Sequence, residues 1–120
     1  MEVPYDYLVS LALEAEDLLI KNSRFRRSFE HDEEWKRQLI VFVREVRDQA
    51  SAANFSTDIE EKAEALLHIQ EYMPPESREP SFRCVASHKA CMADATSTTE
   101  KIMCGLALVI CLAKEVIPLA

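Results

Sequence analysis

Residues 102–113 read IMCGLALVICLA, a run of twelve residues without a charged side chain. The run is shorter than the roughly 20 residues that cross a bilayer, so it predicts a buried helix and not a membrane span. Because the run is apolar on every side of a helix, that helix needs neighbours all round. The sequence therefore predicts that the C-terminal helix forms the centre of the fold.

Gly105, inside this run, is the single glycine of the 120 residues. Glycine supplies the positive φ angles on which tight β-hairpin turns depend, so the chain has little from which to build β connections. We therefore predict an all-α domain spanning residues 1–120. The expected architecture is an antiparallel bundle of four to five helices, with breaks at 22–31, 50–57 and 74–81.

Apolar residues recur at helical spacing in three segments before the C-terminal third. The predicted helices run from Pro4 to about Lys21, from a start between Ser28 and Asp32, and from an N-cap at Thr57. Thr57 with Glu60, and Ser97 with Glu100, match the capping box that opens a helix. The proline-rich residues 74–80 are expected to stop the third helix, and residues 81–95 to form a short fourth one.

Aromatic residues fall on the buried stripes of these predicted helices. Trp35 and Phe42 lie on that of the second helix, and we expect them in the core together with Phe29 and Tyr72. His68 lies beside the stripe of the third helix, which predicts a partly buried, hydrogen-bonded imidazole.

Cys84, His88 and Cys91 would share one face of the fourth helix, at positions i, i+4 and i+7. Thiolate and imidazole are ligands that zinc prefers, but the two- to four-residue cysteine spacing of structural zinc sites is absent. Cys104 and Cys111 repeat the seven-residue spacing inside the apolar run. Residues 1–10 lack the pattern of a signal peptide, so we expect four free thiols, a cytoplasmic protein, and no metal or cofactor.

Arg26 and His31 form the pattern R-x4-H, which resembles the short signature of HEPN-type helical ribonucleases and toxins. The resemblance covers six residues. It implies that His31 acts as a general acid or base while Arg26 holds the scissile phosphate. In that family the signature lies late in the domain, whereas here it lies between the first two predicted helices.

Glu30 and Glu33, followed by Glu61 and Glu64, resemble the paired acids of all-α nucleotide pyrophosphohydrolases of the MazG kind. The resemblance implies that acids on two facing helices hold magnesium, which in turn holds the phosphates. The last position is usually an aspartate in that family and is a glutamate here.

The net charge of −7 is concentrated in the first two thirds of the chain, where 18 acids face 10 bases. Such a surface repels nucleic acid and suits a basic protein partner. The acidic cluster, defined as Glu30, Asp32, Glu33 and Glu34, is the expected partner-binding surface. It directly follows a basic cluster, Lys21, Arg24, Arg26 and Arg27, with which it could instead form ion pairs.

Three classes of function remain open, in this order. The first is an acidic protein-binding module that occludes a partner, such as an inhibitor, an immunity protein or an antagonist. The second is a self-associating structural subunit, for example a homodimer that uses the C-terminal helix. The third is an enzyme, either the magnesium-dependent pyrophosphohydrolase or the HEPN-like nuclease. We expect neither nucleic acid nor membrane as a partner.

Overall fold

The computed structural model describes residues 3–21 and 33–119, which form α-helices and short 3₁₀ helices without a strand. The α-helices in these ranges are α1 (Tyr5–Lys21), α2 (Glu34–Ser51), α3 (Thr57–Ala65), α4 (Pro75–Asp94) and α5 (Thr98–Glu115). A 3₁₀ helix, Leu66–Tyr72, continues α3, and a second one, Ile117–Leu119, follows α5. The prediction of an all-α bundle is confirmed.

Helix α5 packs against each of the other four helices, as its all-round apolar surface predicts. Its buried residues include Ile102, Leu106, Leu108, Val109 and Leu112. The prediction of neighbours all round is met only in part, because Met103, Ala107 and Ile110 share a face of α5 that stays partly or fully exposed. Among the described residues, no helix combines the length and the hydrophobicity that a membrane crossing requires.

Helices α1 and α2 form the other main contact of the core. Leu8, Ala12, Ala15 and Leu19 are the buried residues of α1, and Trp35 and Phe42 are buried on α2 as predicted. At the edge of this contact, Glu16 of α1 accepts hydrogen bonds from Arg44 at 2.9 Å and Arg47 at 2.6 Å. The prediction that Tyr72 is a core residue is wrong, because its side chain lies at the surface.

Helix starts were predicted to within a residue where a hydroxyl caps them. Ser97 caps α5 by accepting from the Glu100 backbone N–H at 3.2 Å, as predicted. At α3 the cap is Ser56 and not Thr57, because the Ser56 hydroxyl accepts from the Ile59 N–H at 3.4 Å. The predicted break at 22–31, the predicted start of the second helix at 28–32 and Phe29 lie outside the described residues.

The third helical segment ends before the prolines as predicted, with Met73 and Pro74 extended, but the break predicted at 74–81 is much shorter because α4 begins at Pro75. A proline at the first helical position loses nothing, because the N–H at that position has no helical acceptor. Pro80 lies farther inside α4, where polar contacts hold the turn: Ser81 Oγ donates to the Arg78 carbonyl at 2.6 Å, and Gln70 donates to Ser81 Oγ at 2.9 Å.

Helix α2 ends in a Schellman motif with an alanine at the left-handed position. Ala53 has a φ of 52°, and its N–H bonds the Ala50 carbonyl at 3.0 Å while the Asn54 N–H bonds the Gln49 carbonyl at 3.0 Å. A side chain in this conformation strains the backbone, which is why glycine is usual there.

We therefore expect Ala53→Gly to raise the free energy of unfolding by about 0.5–1 kcal/mol, measured by urea denaturation. The matched control is Ala52→Gly, because Ala52 has a right-handed conformation that glycine does not relieve. Equal effects of the two substitutions would contradict the assignment of strain to Ala53.

Gly105 is required by close packing and not by a turn. A Cβ atom at this position would lie 2.6 Å from Cζ and 2.9 Å from Cε2 of the buried Phe42 ring. The ring thus lies against the backbone of α5, and α2 approaches the central helix as closely as glycine allows.

We expect Gly105→Ala to lower the free energy of unfolding by about 1–3 kcal/mol, although alanine favours helix formation. Phe42→Leu shortens the opposing side chain, so Gly105→Ala should cost less in that background. Denaturation of the two single variants and the double variant measures this coupling. Strictly additive losses would show that the Phe42 contact is not the cause.

Candidate functional site

A cleft of about 420 Å³ lies between α2 and the 3₁₀ helix 66–72. Val41, Phe42, Leu66 and Tyr72 give it an apolar lining. Two of these side chains remain open to solvent: Val41 is 40% exposed and Tyr72 is 52% exposed. Clefts that bind small molecules or single side chains have this size and this largely apolar lining.

Charged side chains form the rim of the cleft. Glu34 lies 3.3 Å from Arg37, and His68 Nδ1 lies 3.6 Å from Glu71. The prediction that His68 is partly buried is wrong, because its side chain is largely exposed. Exposed pairs of this kind contribute little to folding, so a ligand can replace them at low cost.

The described half of the acidic cluster borders this cleft. Glu34 lines it, and Glu33 lies at the N-cap of α2, 3.2 Å from Lys36. Lys21 of the basic cluster pairs with Asp17 on its own helix at 2.8 Å. Glu30 and Asp32, like Arg24, Arg26 and Arg27, lie outside the described residues. A partner-binding role for the cluster stays a prediction.

Of the residues in the two enzyme-like patterns, Glu33, Glu61 and Glu64 fall within the described part of the chain. Arg26, His31 and Glu30 lie outside it. Glu45 of α2 pairs with Lys62 at 2.6 Å, which places Glu61, the residue before Lys62, near Glu45. Glu33 precedes Glu45 by twelve residues, or about 18 Å at the rise of 1.5 Å per helical residue. Glu33 is therefore far from Glu61. Glu64 lies 3.0 Å from Lys101, the lysine that also contacts Glu60 at 2.8 Å.

All four cysteines form disulfides, which corrects the prediction of free thiols. Cys84 pairs with Cys111, and Cys91 pairs with Cys104. Both bridges join α4 to α5, with Cα atoms 5.7 Å apart in each. The equal seven-residue spacing within each helix was the missed signal, since antiparallel neighbours place equal spacings opposite each other. Cys84, His88 and Cys91 do share a face, as predicted, but that face contacts α5.

His88 lies buried between the two disulfides on this face. Its Nδ1 lies 3.2 Å from the Cys104 carbonyl oxygen, which can only accept, so Nδ1 carries the proton. Nε2 has no hydrogen-bond partner among the described residues. Burial lowers the pKa of His88, and the carbonyls of Cys104 and Ala63 oppose that shift. The folded chain therefore favours the neutral imidazole.

The Glu115 carboxylate lies beside the Cys84–Cys111 disulfide. Its Oε2 is 3.4 Å from each of the two sulfur atoms. In the disulfide neither sulfur carries a proton, so these contacts are not hydrogen bonds. Among the described residues, Cys84, Cys111 and Glu115 are a group whose potential ligand atoms all lie within 4.8 Å of one another.

Comparisons of this chain with protein-family models, with curated proteins and with solved structures found no match.

We expect each of the two disulfides to contribute measurably to the free energy of unfolding. Replacing both members of either pair by alanine should lower the free energy of unfolding by about 3 kcal/mol, because each bridge closes a loop in the unfolded chain. Urea denaturation of the two double variants measures the losses. The intact wild-type mass should be four hydrogen atoms below the fully reduced mass. Alkylation of thiols without prior reduction would contradict the pairing.

The buried His88 predicts a pH dependence of stability. Because its pKa is lower in the folded than in the unfolded chain, the unfolded chain binds more protons below about pH 6.5. The free energy of unfolding should therefore fall as the pH is lowered from about 7 to 5, at up to about 1.4 kcal/mol per unit.

Denaturation across this pH range measures the slope. His88→Gln should flatten it. A slope that survives in the His88 variant would assign the pH dependence to other groups.

Proposed function

We propose that this chain is a small protein-binding module that captures a basic partner segment through the cleft and the acidic cluster to which the cleft residue Glu34 belongs. The observation that carries the proposal is the position of Glu34, which belongs to the acidic cluster and also lines the apolar cleft. The recess thus has the Glu34 and Glu71 carboxylates at its rim, alongside the cations of Arg37 and Lys62, and the further acids of the cluster precede Glu34 in the chain.

The apolar part supplies the affinity in this proposal. Tyr72 and Val41 keep large parts of their side chains in water in the free chain. A large apolar side chain inserted between them would remove that surface from water, and buried aromatic contacts of this kind dominate many interfaces.

The charged part supplies orientation and speed of association. The first two thirds of the chain carry the excess of acids. A partner with lysine or arginine next to its apolar anchor is attracted to this face and is held in one register. An inhibitor, immunity protein or antagonist works in this way, by occluding a basic surface of its partner.

Self-association is the alternative, as a homodimer or a structural subunit. The partly exposed face of α5 that carries Met103, Ala107 and Ile110 is the surface that such an interface would use. The expected cytoplasmic location needs revision in the proposal, because disulfides persist mainly in oxidising compartments and the cytosol keeps thiols reduced.

The test is a selection of displayed random peptides on the oxidised wild-type protein, followed by anisotropy measurements of the enriched peptides. We expect sequences that combine a large apolar residue with lysine or arginine. Tyr72→Ala should weaken their binding about tenfold or more. Phe82→Ala is the matched control, because Phe82 is exposed on α4 and does not line the cleft.

The charge contribution is tested by reversing Glu30, Asp32, Glu33 and Glu34 to lysine, which should abolish binding. Reversing four exposed acids elsewhere, Glu14, Glu61, Glu79 and Asp94, gives the same change in net charge and should reduce binding far less. Equal losses would leave only non-specific attraction, and enriched peptides that bind the Tyr72 variant unchanged would refute the cleft as the site.

A further inference from the structure

We propose that, when the Cys84–Cys111 disulfide is reduced, the two thiolates and the Glu115 carboxylate bind a thiophilic divalent cation such as Zn²⁺. The site lies at the C-terminal end of α5, where it meets α4. It uses a different set of residues from the cleft, so it is independent of the proposed function.

The three ligands come from two helices that hold them together. Cys111 and Glu115 are one helical turn apart on α5, and Cys84 faces them from α4. The Cα atoms of the two cysteines are 5.7 Å apart. Two thiolates on one tetrahedral zinc ion lie about 3.8 Å apart, a separation that side-chain rotation can supply once the S–S bond is broken.

The position of Glu115 gives the second argument. Its Oε2 is equally distant from both sulfurs, at 3.4 Å, which is where a shared third ligand belongs. A carboxylate cannot accept a hydrogen bond from a disulfide, because neither sulfur has a proton to donate. After reduction it can accept from both thiols, and after their ionisation it can complete the coordination of the cation.

The solvent access of the site and the partial charge of the nearby helix end also favour a cation. Glu115 is exposed and Cys111 is partly exposed, whereas Cys84 is buried, so the ion can enter from solvent and leave one position for water. Cys111 and Glu115 lie in the last turn of α5. The carbonyl groups at a helix C-terminus carry partial negative charge, which favours a cation there.

Binding and oxidation then exclude each other. A phosphine reductant takes up one oxygen from water as it breaks the S–S bond, giving two thiols and a phosphine oxide. The cation replaces the two thiol protons, which are released to solvent. Conversely, a small-molecule disulfide such as oxidised glutathione takes up the two electrons as two thiols while Cys84 and Cys111 reform their S–S bond. This removes both sulfur ligands and releases the ion, so the pair links metal binding to redox state.

The experiment titrates Co²⁺, as a spectroscopic substitute for Zn²⁺, into the phosphine-reduced full chain, and then displaces it with Zn²⁺. We expect one Co²⁺ per chain, with thiolate-to-cobalt charge-transfer absorption, and none in the oxidised chain. The Cys84→Ala/Cys111→Ala variant should lose this absorption. The Cys91→Ala/Cys104→Ala variant, which keeps the proposed ligands, should retain it.

Glu115→Gln should weaken the affinity about tenfold to a hundredfold, whereas Asp94→Asn, which removes an exposed charge at the end of α4, should not. Unchanged affinity in the Glu115 variant would overturn the proposal. So would a charge-transfer absorption that survives the loss of Cys111 but disappears with His88→Gln, because the cation would then be bound by other ligands. Loss of helical circular dichroism on reduction would also overturn it, because only the folded hairpin brings the ligands together.

Discussion

The need to bury the apolar surface of α5 is the constraint from which the rest of the structure follows. A helix that carries IMCGLALVICLA exposes apolar side chains wherever a neighbour is missing. The other four helices pack against it, the Phe42 ring lies directly on Gly105, and the face that carries Met103, Ala107 and Ile110 stays partly open to solvent. The stability of the fold depends on the packing of the outer helices against α5. The positions of the cleft and of the disulfides follow from how those helices pack.

One outer helix is bonded covalently to the centre. The two disulfides fasten α4 along the length of α5, and His88 fills the space between them as a neutral imidazole. Helix α4 has few apolar residues of its own, since its buried side chains include Ser77, Ser81 and His88. The covalent bonds thus compensate for a weak hydrophobic face.

A different part of the bundle carries the cleft. There α3 continues as a 3₁₀ helix from Leu66, and Tyr72 and His68 lie on the side of this segment away from its buried residues Leu66 and Ile69, lining the cleft next to α2. The proposed binding surface and the proposed metal site therefore share no residues. The cleft lies between α2 and the 3₁₀ helix 66–72, whereas the metal site lies between α4 and α5. Substitutions can therefore alter either site without changing the residues of the other.

The sequence by itself determined the helical class, the central position of α5, the burial of Trp35 and Phe42, and the cap at Ser97. These follow from local rules, namely hydrophobic periodicity, side-chain capping and the scarcity of glycine. The exposure of His68 and Tyr72 follows from the same periodicity, since both lie opposite the buried stripe of Ile59, Ala63 and Leu66. Only the tertiary structure decided the cysteine pairing and the position of Glu115 beside two sulfur atoms. The physical reason is that both depend on which helix lies opposite. The seven-residue spacings are compatible with a pairing but do not show that α4 and α5 are neighbours.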